Sequence, residues 1–164
     1  TDTDTDTDTD TDTDTDTAIL STCVDDGLED NDSYLAPYDE GPPTSLGTVP
    51  GSVSNMVACP PSSTTTNSAD FDYYEFTLPT DAVSMTITAT FVHASGNIQL
   101  ELWDGSAFGF VDYAYSTDDD EEIIVNGNIG GETYVLNVFL QSGAGNDDAT
   151  PGNAYDLDIA VAVN

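Results

Sequence analysis

Beyond residue 50 this chain alternates apolar and polar residues with the period of two that sets one face of a β-strand against a core. Residues 72–78 place Tyr74, Phe76 and Leu78 on one side. Residues 83–92 set Met85, Ile87, Ala89 and Phe91 against Thr86, Thr88 and Thr90. Residues 98–103 turn Ile98, Leu100 and Leu102 inward. Residues 155–163 do the same with Tyr155, Leu157, Ile159, Val161 and Val163, leaving Asp156 and Asp158 outside. Residues 52–58, 109–115 and 121–125 give shorter or weaker strands. Residues 133–140 are nearly continuously apolar, the pattern of a strand covered on both faces. Asp104-Gly105, Asn126-Gly127 and Gly130-Gly131 are turn signals between these runs. The Pro- and Gly-rich stretch 34–48, the polar stretch 60–69 and residues 143–152 read as loops. Short strands at regular spacing with no helical period predict an all-β fold, an antiparallel sandwich or jelly roll of about eight strands.

The first seventeen residues break from that pattern. Threonine and aspartate alternate there without interruption, and no apolar side chain is present to build a core. Both residue types are poor helix formers, because their side chains compete for backbone hydrogen bonds. Extended at about 3.3 Å per residue, the segment would span roughly 55 Å, with one face of threonines and one of aspartates. The chain therefore divides into an extended repeat (1–17), an acidic junction (18–33) and a sandwich (34–164). Ala18-Ile19-Leu20, the first apolar triplet, has the makings of a short strand.

Charge narrows the possible partners. The chain carries 32 acids and no Lys or Arg, for a net charge of -32, and eight of those acids lie in the repeat. No carboxylate can meet a Lys or Arg of its own chain, so the self-repulsion must be met by salt, bound cations or protonation. Nucleic acid is excluded as a partner because phosphate contacts need basic side chains. An anionic membrane surface is disfavoured on the same ground. No apolar run is long enough for membrane insertion. With no basic leader at its start, the chain is expected to have lost any signal peptide. Leu20-Ser21-Thr22-Cys23 resembles a lipobox, but Thr22 stands where a small residue is needed and polar residues replace the apolar segment before it.

The two cysteines, Cys23 and Cys59, read as one disulfide in an oxidising, extracellular or cell-surface compartment, worth roughly 3–4 kcal/mol on a chain-entropy account. Asp25, Asp26, Glu29, Asp30, Asn31 and Asp32 crowd the segment beside Cys23. Hard carboxylate and amide oxygens suit Ca²⁺, which takes six to eight of them, although no EF-hand spacing is present. The alternative is a set of solvated turn acids. Asn31-Asp32-Ser33 also matches an N-glycosylation acceptor, a role incompatible with Asn31 as a ligand.

Leu28–Ser33, Asp70–Leu78, Leu100–Ser106 and Gly131–Tyr134, in that order and spacing, resemble motifs of the bacterial pre-peptidase C-terminal domain, known also from the collagen-binding modules of secreted bacterial collagenases. Leu28-Glu29-Asp30-Asn31-Asp32-Ser33 is similar to its acidic opening. Asp70-Phe71-Asp72-Tyr73-Tyr74-Glu75-Phe76-Thr77-Leu78 is similar to its Asp-x-Asp-Tyr-Tyr-x-Phe strand. Leu100-Glu101-Leu102-Trp103-Asp104-Gly105-Ser106 is similar to its Leu-x-Leu-Tyr-Asp-Gly hairpin, and Gly131-Glu132-Thr133-Tyr134 to its late Gly-x-Thr-Tyr strand. The resemblance spans about residues 28–163. It implies a non-catalytic, secreted, bacterial β-sandwich, with Ca²⁺ in some members tying the acidic opening to the segment before the Asp-Tyr-Tyr strand. Carried over, the ligands are Glu29, Asn31, Asp32, Asp70 and Asp72. It also implies that any collagen binding would use a surface tyrosine face. The missing basic residues and the cysteine pair depart from the pattern.

No catalytic constellation emerges. His93 is the only histidine and no Gly-x-Ser-x-Gly elbow exists, so neither a zinc site nor a nucleophile elbow can be built; His93 is expected at the surface. The acidic runs 118–122 and 146–148 read as solvated turns, and Trp103 as the edge of the core. The repeat carries the sharper expectation. Thr1, Thr3, Thr5, Thr7, Thr9, Thr11, Thr13, Thr15 and Thr17 form an O-glycosylation array, and covalent glycans would stiffen an extended stalk. Unmodified, the same segment is a solvated linker. The function expected is therefore a non-enzymatic structural subunit, copies of which assemble into an extracellular fibril or surface layer. The alternative is a polysaccharide- or substrate-binding accessory domain with the repeat as a linker.

Overall fold

The computed structural model describes residues 23, 26–28, 31, 41–59, 71–141 and 152–164. Nine strands form there: β1 (Thr44–Thr48), β2 (Gly51–Ala58), β3 (Phe71–Thr77), β4 (Ala82–Phe91), β5 (Ile98–Asp104), β6 (Phe110–Ala114), β7 (Asp120–Asn126), β8 (Thr133–Leu140) and β9 (Asn153–Val163). A single 3₁₀ turn, His93–Ser95, follows β4. The strands make a five-stranded sheet in the order β1-β3-β8-β5-β6 and a four-stranded sheet in the order β2-β9-β4-β7. All pairings are antiparallel except β1 with β3. The architecture is the expected β-sandwich.

The core lies between the sheets and is made by the inward half of each alternation. Tyr74, Phe76, Leu100, Leu102, Leu136 and Val138 from one sheet are buried in the same cluster as Met85, Ile87, Ile123, Leu157 and Ile159 from the other. Fully burying a Leu or Ile side chain is worth about 1.5–3 kcal/mol, so every strand with two or three inward residues is held by its neighbours. β8 sits at the centre of its sheet, as its apolar run requires. Turns use the chemistry the sequence offers. The Asp104 carboxylate accepts from the Ser106 amide at 2.7 Å, the Ser106 hydroxyl at 2.7 Å and the Ala107 amide at 2.8 Å. Those hydrogen bonds, the Ser106 hydroxyl foremost, hold its pKa below the usual carboxylate value. Gly130 is required by space, because a Cβ there would fall inside the Thr80 carbonyl.

Two expectations are corrected. The stretch 34–48 is not wholly loop: β1 occupies its end and extends the five-stranded sheet, bringing the strands to nine. Val163 is not buried in the core: paired with Ala82 at the end of β9, it is 53% exposed. The segment Ala18-Ile19-Leu20 and the repeat 1–17 lie outside the described residues. Among the described residues, no helix is long and apolar enough to cross a membrane.

Candidate functional site

Two features stand apart from the core: the junction that ties the acidic N-terminal segment to the sandwich, and the outer face of the five-stranded sheet.

The junction is anchored covalently and by hydrogen bonds. Cys23 and Cys59, the latter just past β2, form a disulfide with Cα atoms 5.7 Å apart. Asp26 bridges two segments, its carboxylate accepting from the Leu28 amide at 2.8 Å and the Val57 amide at 3.1 Å. The Thr44 hydroxyl donates to the Leu28 carbonyl at 3.3 Å. The Tyr73 amide donates to the Asn31 carbonyl at 3.2 Å, and the Asn31 amide reaches the Thr44 hydroxyl at 3.5 Å. Cys23, Asp26, Leu28 and Asn31 are thus stitched to β1, β2 and β3.

Of the sequence-predicted ligands, Asn31 and Asp72 are described; Glu29, Asp32 and Asp70 lie outside the described residues. Asn31 is 0% exposed and Asp72 1%. The Asn31 Oδ1 atom is buried with no hydrogen-bond partner. The Tyr155 hydroxyl donates to Asp72 Oδ2 at 2.6 Å, and the Tyr74 and Tyr155 hydroxyls lie 2.7 Å apart. Burial above all, then the neighbouring Asp72 charge and Tyr74, hold the Tyr155 pKa well above the ordinary phenol value. A buried carboxylate is costly unless its charge is compensated, and no Lys or Arg exists in this chain to do so. A buried acid and an orphaned amide oxygen on neighbouring backbone fit an oxygen-ligated cation. Among the described residues, no three His, Cys, Asp or Glu side chains come together.

The other sequence candidates play structural parts. His93 is half-buried in the 3₁₀ turn, its amide donating to Asp119 at 2.8 Å. Glu121 is buried and accepts from the Ser116 amide at 2.5 Å. Residues 146–148 lie outside the described residues.

The outer face of the five-stranded sheet carries a feature the sequence reading missed. Strand register sets Tyr73, Asn137, Glu101 and Tyr113 in one row across β3, β8, β5 and β6. On one side of that row lie Glu75, Val135, Trp103 and Phe110, and on the other Phe71, Phe139 and Gln99. The aromatic residues form a continuous arc. Ring centroids are separated by 5.3 Å from Trp103 to Phe110, 6.0 Å to Tyr113, 4.7 Å to Tyr115, 6.3 Å to Phe139, 5.6 Å to Phe71 and 6.2 Å to Tyr73. Phe110 is 51% exposed and Tyr113 55%. Trp103 therefore belongs to the outer face and stacks edge-on against Phe110, rather than closing the core. Glu101 accepts a hydrogen bond from the Tyr115 hydroxyl. Burial first, then that bond and the Glu101 charge, raise the Tyr115 pKa well above the usual phenol. Asn137 and Gln99 are buried among these rings, and Asn137 Oδ1 has no hydrogen-bond partner. A signal was present in residues 108–115: Phe108, Phe110, Tyr113 and Tyr115 crowd a strand with only Ala114 buried.

Comparison with solved structures places the fold. The chain is similar to the pre-peptidase C-terminal domain of a collagenase from Bacillus anthracis, with a TM-score of 0.51 and 15% identity over 73% of this chain and 98% of that one. It is also similar to CorA, a surface-associated copper-binding protein of Methylomicrobium album BG8, with a TM-score of 0.53 and 8% identity over 73% and 98% of the two chains. At these identities the likeness is one of fold: the sandwich has the architecture of the pre-peptidase C-terminal domain. No family model and no curated protein sequence matches the chain.

Proposed function

We propose that this chain is a non-catalytic module of a secreted or cell-surface protein, and that it attaches to a polymeric ligand through the aromatic face of its five-stranded sheet. The exposed neighbouring rings of Phe110, Tyr113 and Tyr115, at the edge of that sheet, carry this reading. Water-exposed rings side by side on one sheet are unfavourable for an isolated domain and favourable for one that covers them with a ligand. The disulfide fits an oxidising, extracellular location. The test is depletion of the protein from solution by insoluble polymers, collagen fibrils and polysaccharides alike. Retention on at least one polymer, lost in the Phe110→Ala/Tyr113→Ala variant, is the expected result. Retention on none would remove the reading.

Ca²⁺ is part of the proposal. Asn31 and Asp72, joined by Glu29, Asp32 and Asp70, would supply the oxygens, and the ion would neutralise a buried charge while fastening the acidic junction to β3. What supports this is the burial of Asp72 in a chain without Lys or Arg, beside the unpartnered Asn31 oxygen. Chelation is expected to lower the melting temperature of the native protein and to leave Asp72→Asn unchanged. An Asp72→Asn variant that melts higher, with no response to Ca²⁺ in either protein, would show a buried charge and no metal.

A fibril subunit is the second reading, favoured by the unbroken Thr–Asp alternation of residues 1–17. Copies carrying -32 each repel one another, so assembly would require glycans or divalent cations along the repeat. Threonine-linked sugar mass above the bare 17.3 kDa, together with sedimentation as a polymer, is the expected signature. A monomer of bare mass would remove it.

A further inference from the structure

We infer that the Cys23–Cys59 bridge positions the Ca²⁺ site, so that Ca²⁺ affinity and the redox state of the bridge are coupled; this rests on the reading above that Asn31 and Asp72 hold the ion. The coupling runs through named atoms. The bridge fixes Cys23 just past the end of β2. Three residues on, the Asp26 carboxylate accepts from the Val57 amide of that strand at 3.1 Å and from the Leu28 amide at 2.8 Å. The Leu28 carbonyl accepts from the Thr44 hydroxyl at 3.3 Å. A hydroxyl carries one proton. With that proton on Leu28, Thr44 can only accept from Asn31, whose Nδ2 lies 3.5 Å away. The Asn31 side chain is thereby oriented, its NH₂ end toward Thr44 and its unpartnered, buried Oδ1 away from it. The Tyr73 amide, in the peptide bond that leaves Asp72, donates to the Asn31 carbonyl at 3.2 Å. A second path reaches the other ligand. Cys23 Sγ lies against Gly152, where a Cβ would fall 2.5 Å from the sulfur. β9 starts at the next residue, and its third residue, Tyr155, donates to Asp72 Oδ2 at 2.6 Å.

Oxygens held in place before an ion arrives bind it more tightly, because the cost of ordering them then falls on folding rather than on binding. With the bridge open, hydrogen bonds alone hold Asn31 beside Asp72, and its oxygen is in place less often. Cys23 and Cys59 are both half-buried, within reach of a small dithiol. A thiolate of the dithiol attacks one sulfur, forms a mixed disulfide and closes to its own cyclic disulfide. Two electrons and two protons end on the two cysteine sulfurs. The coupling is reciprocal: the factor by which reduction weakens Ca²⁺ binding is the factor by which saturating Ca²⁺ opposes reduction.

The experiment titrates Ca²⁺ into the full chain by calorimetry, at physiological salt to screen diffuse binding to the acidic surface. Three forms are compared: the oxidised protein, Cys23→Ser/Cys59→Ser, and Asp26→Ala with the bridge intact. Circular dichroism at the same temperature reports whether each is folded. In parallel, the fraction of open bridge is followed against the ratio of reduced to oxidised dithiothreitol, with and without saturating Ca²⁺. The double Ser variant is expected to bind about 5- to 150-fold more weakly than the oxidised protein, the usual span of coupling between two sites. Asp26→Ala is expected to bind several-fold more weakly, and Ca²⁺ to shift the reduction equilibrium by the factor the Ser variant shows. Equal affinity in the oxidised protein and the folded Ser variant would overturn the inference and leave the Ca²⁺ reading standing. If the Ser variant does not fold, Asp26→Ala decides, and unchanged affinity there overturns the inference. A Ca²⁺ shift of the reduction equilibrium that persists in Asp72→Asn would also overturn it, because the ion would then act from elsewhere on the acidic surface. No Ca²⁺ binding by the oxidised protein would remove the reading itself, and the inference with it.

Discussion

The two outer faces of this sandwich are built from the same alternation and have opposite chemistry. On the four-stranded sheet, register places Thr88 between Asp158 and Glu122, and Thr90 between Asp156 and Asp120. All four acids are exposed and no aromatic residue interrupts them. On the five-stranded sheet, the corresponding rows hold Tyr73 and Tyr113 around Asn137 and Glu101, with Trp103, Phe110, Phe71 and Phe139 beside them. One face is solvated; on the other, Phe110, Tyr113 and Tyr115 stand exposed while Tyr73 and Asn137 are buried. A chain with 32 acids and no cations could have solvated both faces. On the function proposed above, binding belongs to the side with the exposed rings, and the acidic side stays solvated.

Four changes would break or sharpen this contrast. The largest effect is expected in the core both faces share. Leu136→Ala removes a fully buried side chain from the central strand and should cost about 3–5 kcal/mol in urea unfolding. A cost near zero would mean that the sheets do not pack as described. Next is the junction. Replacing both Cys23 and Cys59 by Ser opens a bridge spanning a separation of 36 residues and should cost about 3–4 kcal/mol. If that loss changes polymer binding while the protein stays folded, the two regions are coupled and the separation argued here fails.

The aromatic side also carries a signature at high pH. Burial is the main cause raising the pKa of Tyr115 on that side and of Tyr134, which belongs to the core. A raised tyrosine pKa means stability fully present below the unfolded value of about 10 and lost as pH rises toward the folded one. Stability should therefore fall above about pH 10, and Tyr115→Phe should lessen the fall. An equal fall in the variant would show that Tyr115 makes no contribution. The smallest effect belongs to the acidic face. Asp158→Asn with Glu122→Gln relieves repulsion between exposed like charges. It should stabilise by at most about 0.5 kcal/mol at low salt and by nothing measurable at high salt. Loss of polymer binding in this variant would place the ligand on the wrong side.

The alternation made most of the sandwich legible, and the reason is local. Tyr74, Phe76, Met85, Ile87, Leu100 and Leu157 each declare an inward side within a few residues of chain. The sharp turn at Asp104-Gly105 is equally local, because a carboxylate oxygen can reach amides two and three residues on. β1 was not legible. Thr44–Thr48 has no alternation of its own, and its strand conformation comes from the parallel ladder that β3 offers. Nor was the aromatic arc. Its members come from β3, β5, β6 and β8, and only the order β1-β3-β8-β5-β6 makes them neighbours. Trp103 shows the point in one residue. Beside a turn it resembles a core edge, and the partner strands, which the local pattern does not encode, decide that it faces out. At the junction, the acidity of residues 25–32 was plain, but Asp26 serves as an acceptor for two backbone amides rather than as one more charge in a cluster.

The central claim is that the aromatic face binds and the fold does not depend on it. The most direct measurement follows melting temperature and polymer retention together in the Phe110→Ala/Tyr113→Ala variant of the full chain. The account predicts an unchanged melting temperature and lost retention. Retention equal to that of the unaltered protein, with the fold intact, would contradict it.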